Sequence, residues 1–274
     1  MRKSLQGLFI TGTNTGVGKT HVTVQIARQL TREGVRVGIY KPVCSGIGAS
    51  TWDDVVRLSE ALDHRFPDDW ICPQRFQAAL APPAAAKMEG RTVDRGLLRA
   101  GIFQWTDAAD VVLVEGVGGW RSPIADGETV ADLAVDFGLP VVLVAGLELG
   151  GVNHALLTLE SIERRGLPVA GIVLNHHRPD VTVDVVALDV RSDRLQPVKG
   201  PAEAGHYEPS GVAAATADGI RAHATAPVLA TVFHRPDSGL TPDPSLGSVD
   251  WKALCGPIWR ECRNPNDERM SKSE

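Results

Sequence analysis

The run Phe9-Ile10-Thr11-Gly12-Thr13-Asn14-Thr15-Gly16-Val17-Gly18-Lys19-Thr20 restricts the possible folds more than any other part of the chain. A short apolar strand enters a glycine-rich turn, the turn ends in Gly-Lys-Thr, and a helical pattern follows. This is the layout of a phosphate-binding P-loop, whose backbone N–H groups and helix N-terminus hold phosphate oxygens. Lys19 is then placed to reach the β- and γ-phosphates, and the Thr20 hydroxyl to sit on Mg²⁺. Five residues, rather than the usual four, separate Gly12 from Gly18, so the loop is a lengthened variant.

The rest of the chain fits the fold that such a loop needs. Leu8–Thr11, Val35–Tyr40, Val111–Val114, Pro140–Ala145, Val169–Leu174 and Val228–Val232 read as core strands. The wholly apolar ones match strands covered on both faces. Lys19–Glu33 reads as a helix with Val22, Ile26, Ala27 and Leu30 on one face, and Asn153–Arg164 as another with Leu156, Leu157 and Ile162. Strands alternating with helices predict a three-layer αβα P-loop NTPase fold with a mostly parallel central sheet. We assign a single domain over 1–263, with a surface insertion at 179–225 and a polar, frayed tail at 264–274. Pro179–Thr225 has no strong core period; within it Leu195–Gly211, rich in Pro, Gly and charge, reads as a surface loop or disordered segment, and Ala213–Ala224 as a short helix.

Bulk properties exclude several function classes. The formal net charge of -5 gives no basic surface for nucleic acid. No apolar run is long enough to span a membrane, and Phe9-Ile10 leads straight into the P-loop without a signal-peptide layout. The four cysteines (Cys44, Cys72, Cys255, Cys262) form no C-x-x-C pair, so a reduced, cytoplasmic protein without structural zinc is expected.

Further chemistry gathers at strand ends. Val112-Val-Leu-Val-Glu115-Gly-Val-Gly-Gly-Trp120 puts a carboxylate at the C-terminal end of an apolar strand, where open α/β sheets bind ligands and where it can hold Mg²⁺. Tyr40-Lys41-Pro-Val-Cys-Ser-Gly46 puts Lys41 at the same edge as Lys19. Paired lysines suit an anionic substrate or a phosphoryl group in transfer. Asp53 and Asp54 open a helix, which carboxylates favour as caps; either is a further Mg²⁺ ligand candidate, with Asp54 preferred. Gly150-Gly-Val-Asn153 starts a helix whose free N–H groups can take a carboxylate, or Asn153 can be a simple cap. Asn175, at another strand end, can read a base edge or cap a turn.

Together these motifs resemble the dethiobiotin synthetase family. The matching pieces are Thr11–Thr20, Lys41–Gly46, Val114–Trp120 and Leu149–Ala155, in family order and at family-like spacing, with Ala226–His234 similar to the late strand and loop. The resemblance implies ATP- and Mg²⁺-dependent carboxylation of 7,8-diaminononanoate with CO₂. A carbamate forms, ATP phosphorylates it, and the neighbouring amine closes the ureido ring. It implies ATP contacts from Thr13, Asn14, Gly16, Val17, Gly18, Lys19, Thr20, Glu115, Gly118 and Asn175. Thr20, Asp54 and Glu115 would hold Mg²⁺. Thr15, Lys41 and Ser45 would lie at the carbamate, with Lys19, Lys41 and Thr15 catalytic. Gly150, Gly151, Val152 and Asn153 would receive the substrate carboxylate across a homodimer interface.

Some positions depart from the family pattern. Asn14 replaces a frequent acidic residue, Gly151 and Val152 replace larger ones, and Ala230 and Phe233 stand where Gly and Pro are usual. The rival readings are a cobyrinate-amidase-like ligase, which needs a glutaminase domain, and a partitioning-type nucleotide switch or regulator. The switch loop carries a signature lysine where this chain has Asn14.

Overall fold

The computed structural model describes residues 5–47, 51–176, 211–233 and 244–258. Its centre is a sheet of β1 (Gln6–Gly12), β2 (Val37–Tyr40), β3 (Val111–Glu115), β4 (Val141–Gly146), β5 (Val169–His176), β6 (Val228–Phe233) and β7 (Gly256–Pro257). The order is β6-β5-β4-β1-β3-β2, all parallel. β7 runs antiparallel to the start of β1, pairing Gln6 with Pro257. The expected αβα class is therefore realised, with a mostly parallel sheet.

Burial explains why the strands read as unbroken apolar runs. β3 and β4 are buried along their whole length. Each fully buried Val or Leu contributes about 1.5–3 kcal/mol over leaving it in water. Phe9, Ile10, Leu113, Val142 and Val173 belong to the main cluster. A second cluster joins Leu143 and Leu174 to Ala155 and Leu159 of α4 (Gly151–Glu163).

The helices that matter for function are α1 (Lys19–Arg32), α2 (Asp53–Ala61), α3 (Val130–Phe137), α4 and α5 (Gly211–His223). α1 buries the expected Val22, Ile26, Ala27 and Leu30. α5 buries Ala213, Thr216, Ala217 and Ile220, and Ala213, Ala217 and Ile220 join the second cluster. The helix expected near Ala213–Ala224 is thus present, two residues earlier at its start. Residues 179–210 of the expected insertion, and the tail 264–274, lie outside the described residues.

Topology sets where a ligand can sit. From β1 the chain crosses through α1 to β2 at one edge, then returns to insert β3 beside β1. From β3 it continues through α3 to β4 on the other side of β1. The loops after β1 and β3 therefore leave in opposite directions along the sheet. Open α/β sheets bind ligands in the crevice that such a reversal opens at the carboxyl strand ends.

Candidate active site

The P-loop joins β1 to α1 through Gly18, which caps α1 in the left-handed region at φ 92°. A Cβ there would stand 1.9 Å from Asn175 Nδ2, so both conformation and space require glycine. No side chain caps α1, leaving its first N–H groups open to phosphate oxygens. Lys19 curls back, and its Nζ donates to Asn14 O at 3.3 Å. Burial first, then the nearby Lys41 charge, lowers the Lys19 pKa to about 8, although Glu115 and Asp54 pull the other way.

Thr20, Lys41, Asp54 and Glu115 form one connected group. Lys41 leaves the end of β2, where Pro42 ends the strand, and its N–H is held by Ile71 O at 2.7 Å. Its ammonium donates to Glu115 Oε1 and to Asp54 Oδ2, each at 2.6 Å. Thr20 Oγ1 donates to the same Glu115 Oε1 at 2.7 Å. Burial alone would lower the Lys41 pKa; the Glu115 and Asp54 carboxylates more than reverse this and hold it above its ordinary value. Burial would raise the Asp54 pKa, and Lys41 outweighs that, so the carboxyl stays below its usual range.

These groups face a cavity of ≈ 600 Å³. Its lining includes the expected Thr15, Gly16, Gly18, Lys19, Thr20, Lys41, Ser45, Asp54, Glu115 and Gly118. Ser45 donates to Leu80 O at 2.5 Å, which ties the Lys41–Gly46 turn to the opposite wall. The loop after β3 lies against the P-loop, because Trp120 N–H donates to Gly12 O at 3.0 Å. Thr13 and Asn14 instead border a neighbouring depression of ≈ 460 Å³ with Trp120, Leu157 and Ser161. Val17 is buried under the loop. Asn175 is also buried; its amide donates to Val17 O at 2.8 Å, behind the P-loop. Gly150, Gly151, Val152 and Asn153 form the start of α4, with Gly150 capping it at φ 89°, and they do not line the cavity.

A protein-family model described as "AAA domain" matches residues 6–239. The ATP-dependent dethiobiotin synthetase BioD of Anaeromyxobacter dehalogenans (strain 2CP-C) is 46% identical over 176 residues, 64% of this chain and 79% of that protein. The protein of the same name from Anaeromyxobacter sp. (strain Fw109-5) is 44% identical over 171 residues, 62% of this chain and 77% of its own length. The chain belongs to the dethiobiotin synthetase family, within the AAA domain group.

Solved structures are more distant. The signal recognition particle receptor FtsY of Elizabethkingia anophelis is 14% identical at a TM-score of 0.44, covering 90% of this chain and 64% of its own. The MinC:MinD cell division complex of Aquifex aeolicus is 16% identical at 0.44, covering 84% and 82%.

For this dethiobiotin synthetase family member, the residues suit a Mg²⁺ site. Glu115 Oε2 is buried and has no hydrogen-bond partner among the described residues. Beside it stand the Thr20 hydroxyl, which donates to Glu115 Oε1, and the Asp54 carboxylate, joined to the same Oε1 through Lys41. Hard oxygen donors of this kind suit Mg²⁺, which takes few protein ligands and completes its shell with phosphate and water.

Several cavity residues escaped the sequence reading: His21, Arg57, Leu80, Ala81, Pro82 and Ser122. Arg57 had a usable signal, since it lies three residues after Asp54 on the same helical face. Leu80–Pro82 had none. Their place follows from the short parallel pair of Cys44–Ser45 and Arg75–Phe76, which sequence periodicity does not reveal.

Proposed function

We propose that this protein carries out the ATP- and Mg²⁺-dependent conversion of 7,8-diaminononanoate and CO₂ to dethiobiotin. The observation that carries the reading is the Thr20–Glu115–Lys41–Asp54 group at the wall of one cavity beside the P-loop. The name of the relatives, ATP-dependent dethiobiotin synthetase, supports the product, and the resemblance implies the diamine as substrate. The geometry supports the same chemistry, since cations and hard oxygen donors converge where a triphosphate and a second anion must meet.

The reaction needs positioning more than covalent help from the protein. One substrate amine adds to CO₂ and loses a proton, giving a carbamate. A carbamate oxygen takes the γ-phosphoryl group, and ADP leaves. The second amine attacks the carbamoyl carbon, inorganic phosphate departs, and the ureido ring closes. Lys19 would hold the β- and γ-phosphates, and the α1 N-terminus would hold phosphate through backbone N–H groups. Lys41 would offset charge on the carbamate and on the phosphoryl group in transfer. Thr15 and Ser45 would orient the carbamate end. Thr20, Asp54 and Glu115 would hold Mg²⁺, which when bound would neutralise phosphate charge.

The substrate carboxylate would rest on the Gly150–Asn153 helix start of a second copy, since that turn lies outside its own chain's cavity. The protein would then act as a homodimer, in the cytoplasm, without nucleic acid or membrane partners. Among the described residues no helix is long and apolar enough to cross a membrane.

The test is incubation with diaminononanoate, bicarbonate, Mg²⁺ and ATP. Dethiobiotin is expected, together with ADP and phosphate. ATP turnover indifferent to the diamine would instead mark a nucleotide switch. Near-wild-type turnover by Lys41→Ala, with substrate bound normally, would remove Lys41 from its role.

A further inference from the structure

We infer that Arg57 is a further substrate-contacting residue, one that grips the γ-phosphoryl group of ATP. The inference rests on the proposed function, and three observations lead to it. Arg57 lines the same cavity as Lys19, Thr20 and Asp54. It lies on α2 three residues after Asp54, so both project from one helical face about 4.5 Å apart along the axis. Its guanidinium makes no ion pair or hydrogen bond to another described residue, so no protein group already claims its charge.

Charge balance says what it is for. Lys41 is already shared by the Asp54 and Glu115 carboxylates, so little of its charge is left over. Lys19 is buried, and its ammonium already donates to Asn14 O. A triphosphate and a carbamate bring more negative charge than these lysines and one Mg²⁺ can offset. His21 is the other basic side chain on the lining, and it has a partner of its own. Among the described residues lining the cavity, Arg57 is thus the cation not already committed to protein groups. A planar guanidinium fork also fits two phosphoryl oxygens at once, which an ammonium does not. Asp54 would help to hold Mg²⁺ against the phosphates of a bound nucleotide. The neighbouring Arg57 therefore meets the terminal phosphoryl group rather than the α-phosphate or the base.

The experiment compares Mg·AMP-PNP with Mg·ADP binding by calorimetry, in the wild type, Arg57→Met and Arg57→Lys. Arg57 is exposed, so the variants keep the fold, and a thermal melt checks this. A γ-phosphoryl contact predicts that Arg57→Met loses about tenfold in AMP-PNP affinity while ADP changes by less than about twofold. Arg57→Lys, which keeps the charge without the fork, is expected between them. Equal change for both nucleotides, or no change, overturns the inference. If wild-type protein makes dethiobiotin and the variant keeps the wild-type ratio, only the Arg57 assignment falls. If wild-type protein binds neither nucleotide, the proposed function falls with it.

Discussion

Lys41 holds two carboxylates on one ammonium, and its side chain is only 3% exposed. Its loss would strand Glu115, whose side chain is 0% exposed, as a buried negative charge. Removing one partner of a buried pair typically costs about 3–5 kcal/mol. The Asp54 half is discounted, because that side chain is 49% exposed and solvent screens it. We therefore expect metal-free Lys41→Met to lose about 3 kcal/mol in urea unfolding, and Lys41→Met with Glu115→Gln to regain much of it. A loss within the surface range of about 0.5 kcal/mol would show that the pair is not a structural unit. Gly18 makes a different demand. Gly18→Ala would force a side chain into Asn175 at φ 92°, so Mg·ATP binding should fall by at least about tenfold in a filter or calorimetric assay. These residues were legible because a glycine-rich turn and a strand-end carboxylate carry their chemistry locally. The Lys41–Glu115 bond was not legible, since it joins residues 74 apart and depends on β2 and β3 pairing in parallel.

Among the elements, α3 shows how a short helix is fixed beside the site. Thr129 and Asp132 form a reciprocal capping box at its start. Asp132 also accepts from Arg165, just beyond α4, at 2.7 Å, so one carboxylate ties two helices together. Partial burial would raise its pKa; the Thr129 bonds and Arg165 outweigh that and lower it from 3.8 to about 2. A lowered carboxyl pKa gives stability that is whole above pH 3.8 and drains as pH falls towards about 2. The stability gap between wild type and Asp132→Asn, followed by urea melts, should therefore narrow across that window. Added salt should narrow it further at neutral pH, because Asp132 is partly exposed. A gap that stays constant from pH 5 to pH 2 would exclude the mechanism. The long elements were readable from their apolar periods. The brief pairs, such as Cys44–Ser45 with Arg75–Phe76, were not, since two residues hold no period and only tertiary packing makes them strands.

At the scale of the whole molecule, the α4 start and the cavity are separate features of one chain. Exposed apolar side chains flank the α4 start: Leu149 just before it is 87% exposed, and Leu157 halfway along the helix 57%. If a second copy covers that surface and lends its Gly150–Asn153 turn to the site, each site draws on two chains. Two variants can then complement one another. Lys41→Ala disables the phosphoryl end. Asn153→Glu puts a carboxylate where the substrate carboxylate would dock, at an exposed position where helix starts welcome negative charge, so folding is preserved. Neither homodimer should make dethiobiotin at an appreciable rate. In a mixed dimer one site collects both lesions and the other is free of both. Unfolding, mixing and refolding the two variants in equal amounts should therefore restore roughly a quarter of wild-type activity. Sites built wholly within one chain would leave the mixture as inactive as its components, and the carboxylate would then need another anchor.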